Sequence, residues 1–253
     1  MAFSTKNIVR SLGACVLLSA CAAQQNAGGI HDPFEAENRG IHKTNIALDK
    51  ALVKPVSTAY GKAVPEVMRQ GLSNVSDTLG LPGVVINDIL QLQFGDALHN
   101  TARFAINATL GIGGLLDAAT DGNLEERDTD FGETLHVWGF GEGAFLMLPL
   151  YGPSTTRDTV GLIADIAFDP LGNILTPAAS TAKTGLKVAD LANTRYTYSD
   201  IYESVVYDSA DSYAQLRLSY LDSRRFELGT PIAQASEEGA ESPTYDIYED
   251  FYE

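Results

Sequence analysis

The sequence predicts an all-α fold with a single helical domain, and three observations support this prediction. Apolar residues recur at helical spacing through most of the chain, and proline, glycine and acidic residues stand where helices would begin and end. The length of 253 residues and the hydrophobic content of 45% suffice for a core. The apolar segments of the domain are shorter than the ~20 residues that a membrane-crossing helix needs.

Residues 1–20 have the parts of a bacterial signal peptide and are set apart from the domain. Lys6 and Arg10 form a positive first part, and the apolar stretch at 12–18 is too short to be a membrane anchor. The order Leu18-Ser19-Ala20-Cys21 resembles the lipobox of bacterial lipoproteins. We therefore expect cleavage before the cysteine and acylation of its thiol. The alternative is an ordinary signal peptide that is cut near the same place.

An acylated Cys21 would anchor the mature chain to a membrane, and residues 21–31 would form a short lipidated tether. The other cysteine, Cys15, lies in the discarded segment, so the mature chain could form no internal disulfide. Position 22 is alanine and not aspartate, which by the sorting pattern of such lipoproteins favours the outer membrane.

The charge balance is strongly acidic, with 33 acidic and 17 basic side chains and a formal net charge of −16. Loss of Lys6 and Arg10 with the signal peptide would increase the imbalance. Nucleic acids are held by clustered Lys and Arg side chains that neutralise phosphates, so the composition excludes a nucleic-acid partner.

The first helix of the domain, which we place at residues 32–228, is predicted to begin at Asp32. Asp32, Pro33 and Glu35 have the order of a capping acid, a first-position proline and a first-turn acid. Helix capping explains the two acids better than a catalytic carboxylate pair does. Pro55 would end this helix.

A second helix is predicted from Pro65, with Gly80 and Pro82 as its stop. The stretch 81–119 is the most apolar part of the chain, and Asp96 would cap a further helix within it. This stretch allows two interpretations: a buried core helix, or a segment that lies in one membrane leaflet. Its periodicity favours the core helix.

Glycines are too frequent in the segment 137–153 for it to form a stable helix. Irregular backbone at membrane depth is tolerated only where it is buried in protein or lines a water-filled cavity. The apolar stretch 160–168 follows, and a Thr/Ala-rich connection leads to a helix capped near Ser199-Asp200. The last helix, at about 212–226, ends in a basic pair that suits the negative end of its dipole.

The segment 229–253 is an acidic tail without Lys or Arg. Its charge predicts disorder. Four aromatic residues near its end, Tyr245, Tyr248, Phe251 and Tyr252, would also suit a docking peptide, which is the alternative.

The sequence contains no convincing catalytic or metal-binding pattern. The four histidines have no metal-binding spacing, and neither a Walker A nor a G-x-S-x-G sequence is present. The acids Glu125, Glu126, Asp128 and Asp130 lack the spacing of a calcium loop and are expected to form a solvated loop. We therefore expect no enzymatic activity, no metal and no cofactor.

A series of short motifs runs in one order through residues 31–228. The motifs are Asp32-Pro33, Asn38-Arg39, Gly71-Leu72-Ser73-Asn74, Arg103-Phe104 with Asn107, Gly111-x-Gly113-Gly114 with Asp117, Phe131-Gly132-x-Thr134-Leu135, Trp138-Gly139-x-Gly141-x-Gly143, Leu148-Pro149-x-x-Gly152-Pro153 and Arg157-Asp158. Each motif is weak alone. In this order, and behind a lipobox, they resemble the MlaA/VacJ family of outer-membrane lipoproteins.

The resemblance implies an all-helical ring embedded in the inner leaflet of the outer membrane and facing the periplasm, with a central channel. Mislocalised phospholipid would pass from the outer leaflet through this channel to a periplasmic lipid-carrier protein, which maintains lipid asymmetry. Members of the family also associate with trimeric porins. A lipoprotein that scaffolds a porin complex without moving lipid is the alternative.

By the same resemblance, two glycine-rich segments and the helix before the first of them would form the channel. The residues concerned are Arg103, Asn107, Gly111, Gly113, Gly114, Asp117, Trp138, Gly139, Gly141, Gly143 and Pro149. Arg103 would either face a lipid phosphate or form a salt bridge at the edge of an apolar helix.

Overall fold

The computed structural model describes residues 30–172 and 174–229, and these residues form a helical domain with one small β-hairpin. The helices are α1 (Glu35–Leu48), α2 (Lys54–Ala63), α3 (Glu66–Leu90), α4 (Phe94–Thr109), α5 (Ala118–Asp121), α6 (Phe131–Val137), α7 (Thr156–Ala167), α8 (Pro177–Thr197), α9 (Ser199–Val206) and α10 (Ser212–Glu227). The predicted signal peptide, the predicted acylation site Cys21 and all but the first residue of the predicted acidic tail lie outside the described residues, as does all but the end of the predicted tether.

The first helix begins later than its acids indicate, and the prediction that Asp32 caps it was wrong. Phe34 occupies the N-cap position and makes no side-chain capping bond. The Asp32 carboxylate instead accepts hydrogen bonds from Asn38, Tyr213 and Arg217. These contacts join the start of the domain to α10, so tertiary partners compete successfully for the carboxylate that local capping would have used.

Pro55 does not end the first helix as predicted, because the backbone widens before it. A π-helical turn at Asp49–Val53 joins α1 to α2, and the Lys54 N–H donates to the Asp49 carbonyl, five residues earlier. Proline has no N–H and is tolerated in the first turn of a helix, which is its position in α2. The widened turn therefore lets the helical path continue through the proline.

The predicted stop at Gly80 and Pro82 was also wrong, since α3 continues through both residues for 25 residues in total. A proline inside a helix costs about 3 kcal/mol because it removes one backbone hydrogen bond and crowds the preceding turn. Packing of α3 against both α4 and α8 offsets that cost.

Two further local predictions were also wrong. Gln93, not Asp96, occupies the N-cap position of α4, and Asp96 lies in the first turn. The Thr/Ala-rich connection is the 21-residue helix α8, which Thr176 caps by accepting a hydrogen bond from the Ala179 N–H. This helix packs against α2 and α3, so tertiary packing stabilises a segment whose side chains give a weak helical signal.

The glycine-rich segment after α6 is irregular, as predicted, and it leads into an antiparallel hairpin that the sequence did not indicate. Strand β1 (Phe145–Leu148) pairs with β2 (Gly152–Thr155), with Phe145 opposite Thr155 and Leu148 opposite Gly152. The small apolar core lies beneath this hairpin, where Phe145 and Met147 pack with Tyr213 and Leu221 of α10.

The distribution of polar and apolar side chains is the reverse of that in a water-soluble domain. Within the described residues, eight hydrophobic residues are buried, whereas the buried polar or charged residues number 17. Large apolar side chains are exposed along α3, α4, α7 and α8. Exposed apolar patches of this kind mark contact with a membrane or a partner.

This distribution contradicts the core-helix interpretation of the stretch 81–119. Ile86, Ile89 and Leu90 at the end of α3 are exposed, and Leu92 is 73% exposed in the turn that follows. Periodicity identified the apolar face of the helix correctly, but it could not distinguish a face that packs on protein from one that faces another apolar medium. None of the helices in the described parts is long and apolar enough to cross a bilayer.

Candidate functional site

The first candidate segment is the turn that follows α4, and its glycines are required by close packing or by left-handed backbone. A Cβ atom on Gly111 would lie 2.2 Å from the Leu116 carbonyl oxygen and 2.5 Å from that of Asn107. Gly113 and Gly114 adopt left-handed backbone with φ of 72° and 90°. The turn thus folds tightly against the end of its own helix.

A buried polar cluster holds this turn to the preceding helix. The Asn107 amide donates to the Asp117 carboxylate over 2.9 Å, and its oxygen accepts from the Ala119 N–H at the same distance. The Arg103 guanidinium lies 3.4 Å from that carboxylate and also donates to Thr120 Oγ1 at 3.0 Å. The Arg103 side chain is only 5% exposed, so the salt-bridged arrangement is the one that the structure has.

Asp117 has two structural tasks in this cluster. Its side chain accepts from the Thr120 N–H and so caps α5, and it faces Arg103 and Asn107. Burial raises the pKa of this carboxyl group, but hydrogen bonds from Thr120 and Asn107, together with the Arg103 charge, lower the pKa on balance. Asp117 is therefore ionised at neutral pH.

A small polar cavity of about 30 Å³ lies between this cluster and α3. The residues that line it are Asn74, Asp77, Thr78, Leu81, Arg103, Asn107, Asp117 and Glu126. Such a volume accommodates about two water-sized groups. Three of the predicted site residues are therefore brought together at one polar cavity.

The second candidate segment, between α6 and β1, is more open. The Trp138 side chain is 50% exposed, stacks edge-to-face on Phe131 and donates from Nε1 to the Leu90 carbonyl oxygen over 3.1 Å. Gly139 has a φ of 90°, and a Cβ atom added there would meet nothing within 4 Å. Gly143 has a φ of 74°, with Thr156 close by.

The remaining predicted residues of this segment lie apart from the polar cavity. Pro149 is exposed near the hairpin turn, beside Leu150, which has a left-handed φ of 64° and is 72% exposed. Gly141 is partly buried before β1. The lining of the cavity contains none of Trp138, Gly139, Gly141, Gly143 and Pro149.

Two asparagines of α1 fix the position of the hairpin. Asn38 donates to the Phe145 carbonyl oxygen at 3.1 Å and accepts from the Met147 N–H at 2.9 Å. Asn45 makes the same pair of contacts, with the Leu148 carbonyl and the Leu150 N–H, both over 2.9 Å. Asn38 belongs to a sequence motif, but Asn45 was not identified. The separation of seven residues between Asn38 and Asn45, about two helical turns, is the only signal that could have predicted their shared role.

A second cavity, of about 240 Å³, lies beneath the hairpin and was not predicted. Asp130, Tyr151, Pro153, Ser154, Asp158, Leu162, Asp165, Tyr220, Arg224 and Glu227 line it. Arg224 lies 2.6 Å from Asp130, so the basic end of α10 forms an ion pair with the predicted solvated loop.

The carboxylates of the second cavity titrate differently because their neighbours differ. Burial raises the pKa of Asp158, but the charges of Arg157 and Arg224 and the hydrogen bond from Tyr220 lower it on balance. Burial also raises the pKa of Asp165, and the hydrogen bond from Asn87 only partly offsets that effect. The neighbours of Asp158 thus stabilise its ionised form, whereas the surroundings of Asp165 destabilise its ionised form.

The chemistry of both cavities suits binding of polar groups. Their linings supply carboxylates, amides, hydroxyls and guanidinium groups, and neither lining contains a histidine, cysteine or lysine. No group of three or more acidic, histidine or cysteine side chains within residues 30–172 and 174–229 is arranged to hold a metal ion.

Comparison with known proteins identifies the family. The family model described as MlaA lipoprotein matches residues 30–227. The chain is 33% identical over 220 residues to the intermembrane phospholipid transport system lipoprotein MlaA of Escherichia coli K12, covering 85% of this chain and 86% of that protein. It is 25% identical to the protein of the same name from Haemophilus influenzae over 231 residues, covering 88% and 91%.

A solved structure agrees in fold. The chain matches a structure described as the structural basis for maintenance of bacterial outer membrane lipid asymmetry, with a TM-score of 0.67 and 32% sequence identity. The match covers 78% of this chain and 98% of the other. The sequence motifs, the helical fold and these similarities agree: the chain belongs to the MlaA lipoprotein family.

Proposed function

We propose that this protein is a non-enzymatic conduit for phospholipid in the outer membrane of a Gram-negative bacterium. It would remove mislocalised phospholipid from the outer leaflet and pass it to a periplasmic lipid-carrier protein, and so maintain lipid asymmetry. The names of its relatives support a role in intermembrane phospholipid transport.

The observation that carries the proposal is the reversed distribution of side chains. Seventeen buried polar or charged residues, against eight buried hydrophobic ones, leave the apolar side chains of the described domain on its outside. Exposure of so much apolar surface to water is unfavourable by about 25 cal/mol for each Å². A domain of this kind is stable when lipid chains cover the outside and polar groups meet inside.

The exposed apolar residues support insertion into one leaflet. The turns at both ends of α4 carry apolar residues with left-handed backbone: Leu92 with a φ of 61° and Ile112 with a φ of 56°. They are 73% and 67% exposed. A branched residue in this conformation is strained, whereas glycine is not. Contact with lipid chains gives a reason for an apolar side chain at both places.

None of the helices in the described parts of the chain can cross the bilayer, so they would lie in one leaflet. Acylation at Cys21 would supply the permanent anchor. The two glycine-rich segments, with Arg103 and Asn107 behind the first, would border the lipid path. Energy would come from elsewhere in the transport system, so the chain needs no catalytic group. A trimeric porin would hold the protein at its place in the membrane.

The experiment is complementation of a deletion strain with Gly113→Trp. Gly113 borders the proposed path, and a side chain there has open space to fill. The matched control is Gly229→Trp after α10, where the backbone is also left-handed, with a φ of 62°, and nothing lies within 4 Å. Outer-leaflet phospholipid is measured by labelling intact cells with an impermeant amine reagent, and protein level and acylation are checked by immunoblot.

We expect the deletion strain and the Gly113→Trp strain to label strongly, and the wild type and Gly229→Trp to label at the background level. Full restoration of the barrier by a correctly folded Gly113→Trp protein would contradict the conduit. That result would favour a lipoprotein that scaffolds a porin complex without moving lipid.

A further inference from the structure

The corner where α3 ends and α4 begins, at residues 86–100, buries a carboxyl group that has no paired cation. Asp88 of α3 is 2% exposed, and Asn100 of α4 is fully buried. No ion pair within residues 30–172 and 174–229 includes Asp88. An ionised carboxylate is costly to bury without a cation, and such a group takes up a proton instead. Burial therefore favours the neutral form of Asp88.

The amide that contacts Asp88 has an acceptor without a donor. The Asn100 amide nitrogen donates to Asp88 Oδ2 over 2.8 Å and to the Arg127 carbonyl oxygen over 2.9 Å. Both hydrogens of the amide are therefore used. The amide oxygen, Asn100 Oδ1, is buried and has no hydrogen-bond partner in the described parts of the chain. Because buried polar atoms nearly always have a partner, one donor is missing beside Asn100.

A single proton on Asp88 would explain both observations. A protonated carboxyl group has an O–H donor and a carbonyl acceptor, and a primary amide has the complementary N–H donor and oxygen acceptor. With its proton, Asp88 would accept from the Asn100 nitrogen and donate to the Asn100 oxygen. The uncompensated charge and the unsatisfied acceptor would be removed together.

The charged groups around Asp88 do not compensate a charge on it. Helix α4 contributes Asp96 and His99, and the loop before α6 contributes Arg127, whose guanidinium is paired with Asp96. Helix α6 contributes the neutral Thr134, which forms hydrogen bonds with side chains of α3. Burial is the largest influence, and it raises the pKa of Asp88 on balance against the lowering effects of the amide hydrogen bond, Arg127 and His99.

We propose that Asp88 holds its proton at neutral pH and joins α3 to α4 as one half of an acid–amide pair. The outside of the corner is apolar, because Leu90, Leu92, Phe94 and Leu98 are exposed there. A neutral acid allows these side chains to lie among acyl chains without a charged group behind them. Alkaline pH would ionise Asp88 and weaken the corner, so the pair is a pH-sensitive joint of the fold. This inference does not require lipid to move through the protein.

The test measures unfolding of the full mature, acylated protein by denaturant titration in detergent at pH 5, 6 and 7. The variant is Asp88→Asn, whose amide can make the same two hydrogen bonds without a titrating proton. The matched control is Asp96→Asn, which removes a carboxylate of the same corner that is paired with Arg127. Infrared spectroscopy at pH 7 measures, as a second readout, the C=O stretching band of a protonated carboxyl group.

We expect the unfolding constant of the wild type, divided by that of Asp88→Asn, to rise about tenfold for each pH unit, because unfolding releases the proton that the folded protein holds. The same ratio for Asp96→Asn should stay constant. The infrared band should be present in the wild type and weaker in Asp88→Asn.

A ratio for Asp88→Asn that does not change with pH would show an ionised Asp88 and overturn the proposal, as would an infrared band of equal strength in this variant. Absence of the band from the wild type would overturn it even if the variant does not fold. None of these results bears on lipid transport, so the conduit is tested separately.

Discussion

The two glycine-rich segments look alike in sequence, but Gly111 in the first and Gly139 in the second are required for different physical reasons. In the turn after α4, an added Cβ atom on Gly111 would lie 2.2 Å from a backbone oxygen. In the segment after α6, an added Cβ atom on Gly139 would meet nothing within 4 Å, and only its φ of 90° favours glycine. Gly111 is thus constrained by packing and Gly139 by backbone conformation.

The two segments also differ in how open they are. The first turn is tied by buried polar contacts to Arg103 and Asn107 and forms one wall of a polar cavity. The second is open, and its tryptophan is half exposed. We infer that the first segment provides fixed polar recognition, whereas the second provides an apolar surface beside the hairpin.

The largest effect should come from Gly111→Ala, which tests packing in the first segment. The added methyl group would collide with two backbone oxygens, and relief requires movement of the whole turn. We expect a loss of about 3 kcal/mol in the free energy of unfolding, measured by denaturant titration in detergent. The matched control is Gly80→Ala in α3, where nothing lies within 4 Å.

The control should gain about 0.5–1 kcal/mol, because alanine favours a helix over glycine. An equal effect of the two substitutions would show that the turn relaxes freely. The contrast between packed and open glycines would then have no energetic meaning.

The next effect should come from Asp117→Ala, which removes the acid that faces Arg103. The arginine is buried and would lose its ion-pair partner, but Asp117 itself is 33% exposed, so water can screen part of the loss. We expect a destabilisation of about 2 kcal/mol at neutral pH, measured by the same titration.

The effect of Asp117 should depend on pH in a defined direction. Its pKa in the folded protein lies below the ordinary value of 3.8, so its contribution is present above that pH and is lost as the pH falls further. The difference between wild type and Asp117→Ala should therefore shrink at pH 3 relative to pH 6. A difference that is unchanged or larger at pH 3 would contradict the assignment.

The smallest effect should come from Gly139→Ala, which tests the second segment. The side chain has room, so only the left-handed conformation opposes it, at a cost of about 1 kcal/mol. Thermal unfolding in detergent measures the change. A loss as large as that of Gly111→Ala would mean that the segment after α6 is packed against something that the open surface does not indicate.

The sequence predicted helices well where apolar spacing was regular and poorly where local signals opposed packing. Pro55 and Pro82 were interpreted as helix ends, but a π-helical turn and packing on two sides carry the chain past them. Local signals describe the cost of a residue in a helix. They do not contain the tertiary contacts that offset this cost.

The candidate site was predictable in part. The motifs correctly predicted that Arg103, Asn107 and Asp117 lie close together, because all three belong to one short stretch of chain. Asp77 and Glu126 could not be predicted as neighbours of that cluster, since they come from distant positions and no spacing links them. The hairpin was also unpredictable, because its strands of four residues depend on the asparagines of α1.

The central claim, that the apolar outside of the domain lies in lipid, can be tested with the native protein. Trp138 is the single tryptophan of the chain and is half exposed beside Leu90. The acylated protein is reconstituted into vesicles whose lipids carry bromine on the acyl chains, and the quenching of Trp138 fluorescence is measured. We predict strong quenching by the bromines and weak quenching by aqueous iodide. Strong iodide quenching without an effect of bromine would place Trp138 in water and contradict the claim.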